Sequence, residues 1–481
     1  MKTIAYSALS GPGEPLNRRY IWRVAMVAAM GGLLFGYDWV VISGAEVFYE
    51  KYFRIEHHPS AVAWAMSAAL VGALLGAVSC GGASDKFGRK KMLILAALLF
   101  AVSSIGTGLA GSFTAFVIWR IFGGVAIGMA SNLSPIYIAE ISPPEMRGKL
   151  VSGNQLAIAF GVVAAQVINW LIARPTAADA TALQILHSWN GQMGWRWMFA
   201  ATTVPSLLFF FGMLSAPESP RWLMKQGRRP EADQILGRIG GREYADRTSA
   251  AINESLEHEG ENFNWHELLK PRMAKALTIG IVLAVFQQWC GINVIFSYAS
   301  KVFKAAGYHV SGTLFNIVIT GVVAFICAIM AMFVVDRLGR RIMLLGGAIG
   351  LVIVYALLGW AFHVHSHGVH VVILVTTAVA VYCFTLAPVT WVVLSEIFPN
   401  RIRGAAMAVA VFALWAADFV LTFTFPFLNQ NLGTARVFWM YGGICLLGAF
   451  FIYSVLPETK GKTLEQIETQ LIGPESGSLS R

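Results

Sequence analysis

The stretch SDKFGRKK, Ser84 to Lys91, returns about 250 residues later as VDRLGRRI, Val335 to Ile342. Each copy has an acid in second place, a glycine in fifth and an arginine in sixth, and each joins two apolar stretches of membrane-spanning length. A motif repeated at the same place in two runs of spans marks a chain built from two related halves. The rest of the chain follows outward from it. Runs of about 17 to 25 apolar residues, enough to cross a bilayer, lie at 22–45, 61–84, 92–109, 113–138, 150–172 and 195–214. After a polar interval come 274–298, 312–335, 342–364, 371–394, 405–428 and 437–456, which makes twelve expected spans in two sets of six. Composition agrees: 56% of the 481 residues are hydrophobic and 13% charged, where soluble domains carry about 25% charged residues.

Two further motifs recur with the first. AEISPPEMRG (Ala139 to Gly148) returns as SEIFPNRIRG (Ser395 to Gly404), and PESPRWL (Pro217 to Leu223) as PETKGKT (Pro457 to Thr463). All copies fall on one side, after the second, fourth and sixth spans of each half. With a cytoplasmic N-terminus, 28 of the 36 Lys and Arg lie on or at the edge of that side, seven lie on or at the edge of the outside and only Arg120 lies deep within a span. This bias predicts that both termini are cytoplasmic, and it makes the net charge of +10 a topology signal rather than the mark of a nucleic-acid partner. A topology signal needs no acids, yet the motifs hold Asp85, Glu140, Glu218, Asp336, Glu396 and Glu458. Both signs at helix ends suit ion pairs that form in one state of a moving molecule and break in another. The expected cytoplasmic gate is therefore Asp85, Arg89, Glu140, Arg147, Glu218, Arg221, Asp336, Arg340, Glu396 and Arg403.

Charge is scarce inside the apolar runs. GGLLFGYDWV, Gly31 to Val40, places Asp38 in the first span, where an acid at the helix centre costs about 2.5 to 3.5 kcal/mol. If the first span ends near Ala45 and the fourth starts near Phe113, Asp38 and Arg120 each lie about seven residues, roughly 10 Å, below the outer ends. Matching depth makes them natural partners. An Arg beside a carboxylate favours its charged form and apolar burial its neutral one, so parting the pair would let Asp38 take up a proton. A static ion pair fastening two helices is the plain alternative.

The seventh span reads FQQWCGINVIFSY and carries the amides Gln287, Gln288 and Asn293 at cavity depth, with Gly291 among them. Amides suit sugars, because each offers donors and an acceptor to hydroxyls that do the same, without bringing a charge into the membrane. Gln155 in the fifth span adds another, and Trp391 and Trp415 supply flat apolar surfaces on which a pyranose face can pack. Singly, an amide in a span also serves as interhelical glue and a Trp as an interface anchor. Gln288 and Asn293, five residues apart, would diverge by roughly 140° on an unbroken helix, so both reach one sugar only if the span loosens near Gly291.

These motifs, with GGLLFGYD and QQWCGIN, resemble the sugar porter family of the major facilitator superfamily from about Arg23 to Glu465, its bacterial proton-coupled D-xylose and hexose members being nearest in look. The resemblance implies two six-helix bundles around a central cavity, with short cytoplasmic helices between the halves. It implies that Asp38 and Arg120 couple protons, since many uncoupled members carry Asn for the Asp. It also implies a sugar site of Gln155, Gln287, Gln288, Asn293, Trp391 and Trp415. The chain departs from that pattern in places. Thr202 stands where xylose members have Glu, Ser297 for Tyr, Ala324 for Asn, Ala387 for Gly and Leu414 for Asn or Gln. Unmade hydrogen bonds dominate sugar discrimination, so the identity of the sugar does not carry over. Asp418, one turn from Leu414, is an added acid, either titrating or paired.

Other signals lead nowhere. The five cysteines lie inside spans without a CxxC pair, and the sequons at Asn132 and Asn253 fall in a span and on the cytoplasmic side. HVHSHGVH (His363 to His370) lies in an outer loop, GKT at Gly461 lacks the first glycine of a phosphate loop, and HELLK at His266 lacks a second histidine. The pairs Gly32/Gly36, Gly72/Gly76 and Gly124/Gly128 read as close helix packing. No enzyme motif, metal site or cofactor is expected. The expected molecule is an all-α membrane protein of the major facilitator fold: arm 1–20, bundle 21–214, linker helices 215–272, bundle 273–456 and tail 457–481. No cleavable leader is expected before the first span. Its expected partners are a monosaccharide, a proton and the lipid bilayer, and its expected function is proton-coupled symport of a pentose or hexose across a bacterial cytoplasmic membrane. A facilitative sugar uniporter is the alternative. A transporter-like sugar sensor is a further one, though such sensors usually carry a longer cytoplasmic tail.

Overall fold

A computed structural model describes residues 16–177, 180–259, 271–398, 403–460, 462 and 466, and these residues form helices and turns with no strand. The first half comprises α1 (Arg18–Tyr52), α2 (Pro59–Phe87), α3 (Arg89–Leu109), α4 (Phe113–Ile141), α5 (Pro144–Ile172), the short α6 (Ala182–His187), α7 (Trp195–Ala200) and α8 (Thr203–Ser215). A π turn at Asn190–Gly194 leads into α7. Next come α9 (Pro220–Lys225) and α10 (Arg229–Glu259), the latter broken at Gly240 and Gly241. The second half comprises α11 (Pro271–Trp289), α12 (Ile292–Ser297), α13 (Ala299–Ala305), α14 (Val310–Leu338), α15 (Arg340–His363), α16 (Val369–Phe384), α17 (Leu386–Ile397), α18 (Arg403–Leu432) and α19 (Thr434–Val455).

Among the described residues, twelve segments are long and apolar enough to cross a membrane. The 21 residues of α3 give about 32 Å at 1.5 Å per residue, which matches a hydrocarbon core of about 30 Å. The first span differs from its expected length. It does not end at Ala45 but continues to Tyr52, because AEVFYEKY holds no breaker and buries Phe48 and Tyr49, the latter 5.0 Å from the Phe116 ring of α4.

Three spans are broken helices: 190–215, 273–297 and 369–397. Two breaks lie about four residues before a proline. Pro205 and Pro388 would each crowd the carbonyl one turn back, and helix ends at Ala200 and Phe384. Proline alone does not decide, since Pro135 and Pro426 sit within continuous helices. The third break, between α11 and α12, has no proline. It turns on Gly291, whose φ of 84° is the left-handed region.

The repeated motif folds the same way twice. α2 ends at Phe87, Gly88 takes φ 98°, and α3 starts at Arg89; α14 ends at Leu338, Gly339 takes φ 96°, and α15 starts at Arg340. Each new helix then meets a carboxylate from the far end of its half. Glu218 Oε1 accepts from Lys90 N at 3.0 Å, and Glu458 accepts from Arg340 N at 3.0 Å and Arg341 N at 3.1 Å. An acid is favourable there, since the first N–H groups of a helix lack partners and its dipole is positive at that end. Partial burial pushes the Glu458 carboxyl up, but the backbone N–H groups of Lys460, Arg340, Arg341 and Thr459 outweigh it and hold the group below the usual range.

Within the first half α2 packs on α4 and α1 on α5; within the second α15 packs on α19 and α11 on α18. The halves meet where α2 lies against α18 and α5 against α14. Small residues let the helices approach: a side chain on Gly72 would run into the α4 backbone at Ile121 and Gly124.

Candidate functional site

The first half supplies one buried ion pair. Arg120 Nη1 donates to both carboxylate oxygens of Asp38 at 3.0 Å, and its Nη2 donates to the Asp38 carbonyl at 3.3 Å. Both side chains are under 5% exposed. The guanidinium also lies 5.4 Å from the Phe199 ring, while its Nε has no hydrogen-bond partner among the described residues. Asp38 and Arg120 meet as expected, although the depth match behind that expectation does not hold: α1 runs on past Ala45 to Tyr52, so Asp38 lies farther from the end of its helix than Arg120 does from the start of α4. Thr202 is fully buried between α7 and α8, and its hydroxyl oxygen likewise lacks a partner among the described residues.

A narrow cavity borders Arg120 and is lined across the interface by Ser297 and Trp415 of the second half, with Trp39, Met66 and Ile127. Across the same interface the rings of Phe35 and Trp415 stand 5.7 Å apart, and those of Trp39 and Phe296 5.6 Å apart. The amides gather around the break in the seventh span. Gln287, Gln288 and Asn293 are all under 10% exposed; Gln287 Nε2 donates to the Ala387 carbonyl at 3.3 Å, and Asn293 Nδ2 donates to Gln288 Oε1. The break at Gly291 lets Gln288, before it, and Asn293, after it, meet. Asp418 is buried and accepts from Asn293 Nδ2 at 2.8 Å, which puts the added acid on the amide pair. Trp391 is half-buried on α17. Gln155 of α5 is exposed, and among the described residues no hydrogen bond joins it to the α11–α12 amides.

At the end carrying the repeated motifs, Arg89 pairs with Asp85 at 2.8 Å and with Glu140 at 3.2 Å, and Arg340 pairs with Glu396 at 3.1 Å. Glu218 caps α3, and Arg221 donates to Ser255 of α10 at 3.3 Å. Arg147 is exposed at the start of α5 and makes no ion pair among the described residues in this state. The side chains of Asp336 and Arg403 lie outside the described residues.

Sequence reasoning missed a second charged cluster, at the end away from the motifs. Lys301 of α13 bridges to α1, its Nζ 3.3 Å from Glu46 and 2.9 Å from Glu50. Glu46 is 1% exposed. Burial alone would lower the Lys301 ammonium, but Glu46 and Glu50 outweigh it and hold the group above its ordinary range. Beside it Ser300 donates to the Ser43 carbonyl. The available signal was two acids four residues apart after the presumed span end, and the first of the two lysines in SYASKVFK. Aromatic pairs across the interface also lie at mid-height or toward this far end, from Phe160–Phe325 to Trp64–Phe423 and Trp170–Phe315.

Comparison with known proteins adds three findings. The profile of the family described as Sugar (and other) transporter matches residues 24–471. The D-xylose-proton symporter of Escherichia coli (strain K12) is 39% identical over 482 residues, covering 94% of this chain and 96% of the relative; the arabinose-proton symporter of Bacillus subtilis (strain 168) is 37% identical, covering 95% and 97%. A solved structure of the xylose transporter XylE from E. coli in an inward open conformation superposes with a TM-score of 0.82 at 37% identity, covering 94% of this chain and all of that one.

Proposed function

Because this chain belongs to the family of sugar (and other) transporters, we propose that it is a proton-coupled monosaccharide symporter working by alternating access between its two halves. The observation that carries the reading is the narrow cavity that Arg120, held by Asp38, lines together with Trp415 and with Ser297, the last residue of the α12 helix that carries Asn293. The arginine of the proposed proton pair and Trp415 of the proposed sugar site therefore border one narrow cavity, from opposite halves.

The coupling follows from electrostatics. Protonating Asp38 leaves Arg120 buried without its counter-ion, and breaking one side of a buried pair costs about 3 to 5 kcal/mol. That cost falls if Arg120 gains water or another partner, which ties proton uptake to a change in how the halves meet. The amides present neutral donors and acceptors to the sugar, and Trp391 and Trp415 give it apolar faces. The protein is placed in a bacterial cytoplasmic membrane with both termini and the repeated motifs inside. In that orientation the far-end contacts close the outside, and the chain stands inward-facing. The substrate is a pentose or hexose, in keeping with the D-xylose and arabinose symporters that it resembles.

The test is uptake of a panel of monosaccharides into vesicles, with and without an imposed pH gradient. At least one pentose or hexose is expected to accumulate when the outside is acidic and merely to equilibrate without the gradient. Equilibration alone under both conditions would mean uniport.

A further inference from the structure

Asp418 lies on α18, buried to 2% exposure, with no ion-pair partner among the described residues. The ionisable side chains on which its charge bears are Cys290 at the α11–α12 turn and Tyr382 of α16, neither of them a cation. Its Oδ1 accepts from Asn293 Nδ2 at 2.8 Å and from Thr422 Oγ1 at 3.4 Å. An amide's oxygen and nitrogen are normally assigned from their surroundings, and here the surroundings decide. In its carboxylate form Asp418 only accepts, and the atom that Asn293 turns toward it is then the nitrogen, 2.8 Å away. The other N–H of that nitrogen goes to Gln288, which must therefore offer its oxygen. Both protons of Asn293 Nδ2 are then used. What remains is the Asn293 carbonyl and the Gln288 NH2 group.

We infer that Asp418 is a positioning residue of the sugar site: by holding the Asn293 nitrogen it fixes the pair so that Asn293 presents an acceptor, and Gln288 donors, to the ligand. The inference rests on the sugar-binding reading above. Gln287 is set independently, since its Nε2 is held by the Ala387 carbonyl and its Oε1 is buried without a partner among the described residues. The three amides thus carry a fixed polarity of two acceptors and one donor group. A sugar oxygen facing Gln288 must accept, and hydroxyls facing Asn293 and Gln287 must donate.

Fluorine separates these cases, because it accepts weakly and cannot donate. The experiment measures binding by calorimetry to the purified full-length chain, using the best-bound sugar of the uptake panel and its monodeoxy and monodeoxyfluoro analogues. For the natural chain, at least one ring position should tolerate fluorine within about 3-fold while losing about 10-fold or more with hydrogen, and at least one other should lose about 10-fold with both. In Asp418→Asn the new amide donates as well as accepts, so the pair is free to turn over. The contrast between fluorine and hydrogen should shrink to within about 3-fold. Asp418→Ser serves where the Asn variant does not fold. The inference is overturned if the natural chain treats fluorine and hydrogen alike at every position, or if either variant weakens all sugars by one common factor with the contrast intact. A natural chain that binds no monosaccharide would instead overturn the sugar reading itself.

Discussion

Two acids lie deep in the spans, and their surroundings differ: Asp38 has an arginine on both oxygens, whereas Asp418 has an amide and a hydroxyl. Asn in place of Asp38 keeps the shape and removes the titrating group. Asp38→Asn is therefore expected to abolish accumulation driven by a pH gradient while sugar exchange at equal pH continues, and a variant that still accumulates would remove Asp38 from the proton path. The pairing was legible in sequence because Arg120 is the lone basic residue lying away from the ends of an apolar run, so Asp38 had few possible partners. Glu46, Glu50 and Lys301 escaped notice for the opposite reason. Charges near span ends are ordinary, and only the extra turns of α1 reveal that Glu46 and Glu50 are buried. Arg147, by contrast, sits in a motif that announces it, yet its position at the start of α5 leaves it in solvent.

Helices are where sequence reading succeeded most and where its omissions have clear causes. Hydropathy locates all twelve spans, since a backbone without water must bond to itself. It is blind to breaks inside them. The two proline-linked breaks were readable from Pro205 and Pro388, but Pro135 and Pro426 show why that signal is ambiguous. The break at Gly291 was legible for a chemical reason, two amides needing one target. It also yields a prediction. A side chain there must adopt a left-handed backbone, at about 1 to 2 kcal/mol, and would press on the Tyr441 ring. Gly291→Ala should weaken sugar binding about 5-fold or more although residue 291 need not touch the ligand, and unchanged calorimetric affinity would show that the break does not set the amides.

On the scale of the whole molecule, the far end is fastened by Lys301 against two carboxylates of the other half. Lys301→Ala leaves Glu46 and Glu50 facing each other without a cation, so the closed far end should lose about 3 to 5 kcal/mol and the population should move toward far-end-open molecules. Spin labels on α1 and α13 would report a longer distance in the variant, and an unchanged distribution would show that the apolar contacts alone hold the halves. At the motif end, the pairs Arg89 with Glu140 and Arg340 with Glu396 stay within their own halves. The likeness of Gly88 and Gly339, at φ 98° and 96° beneath a capping glutamate each, then speaks about ancestry. Internal repeats of this kind are the mark of a duplicated half. Under the proposed reading the twin turns are the part that stayed alike, while Asp38 with Arg120 stands in one half and Gln287, Gln288 and Asn293 in the other.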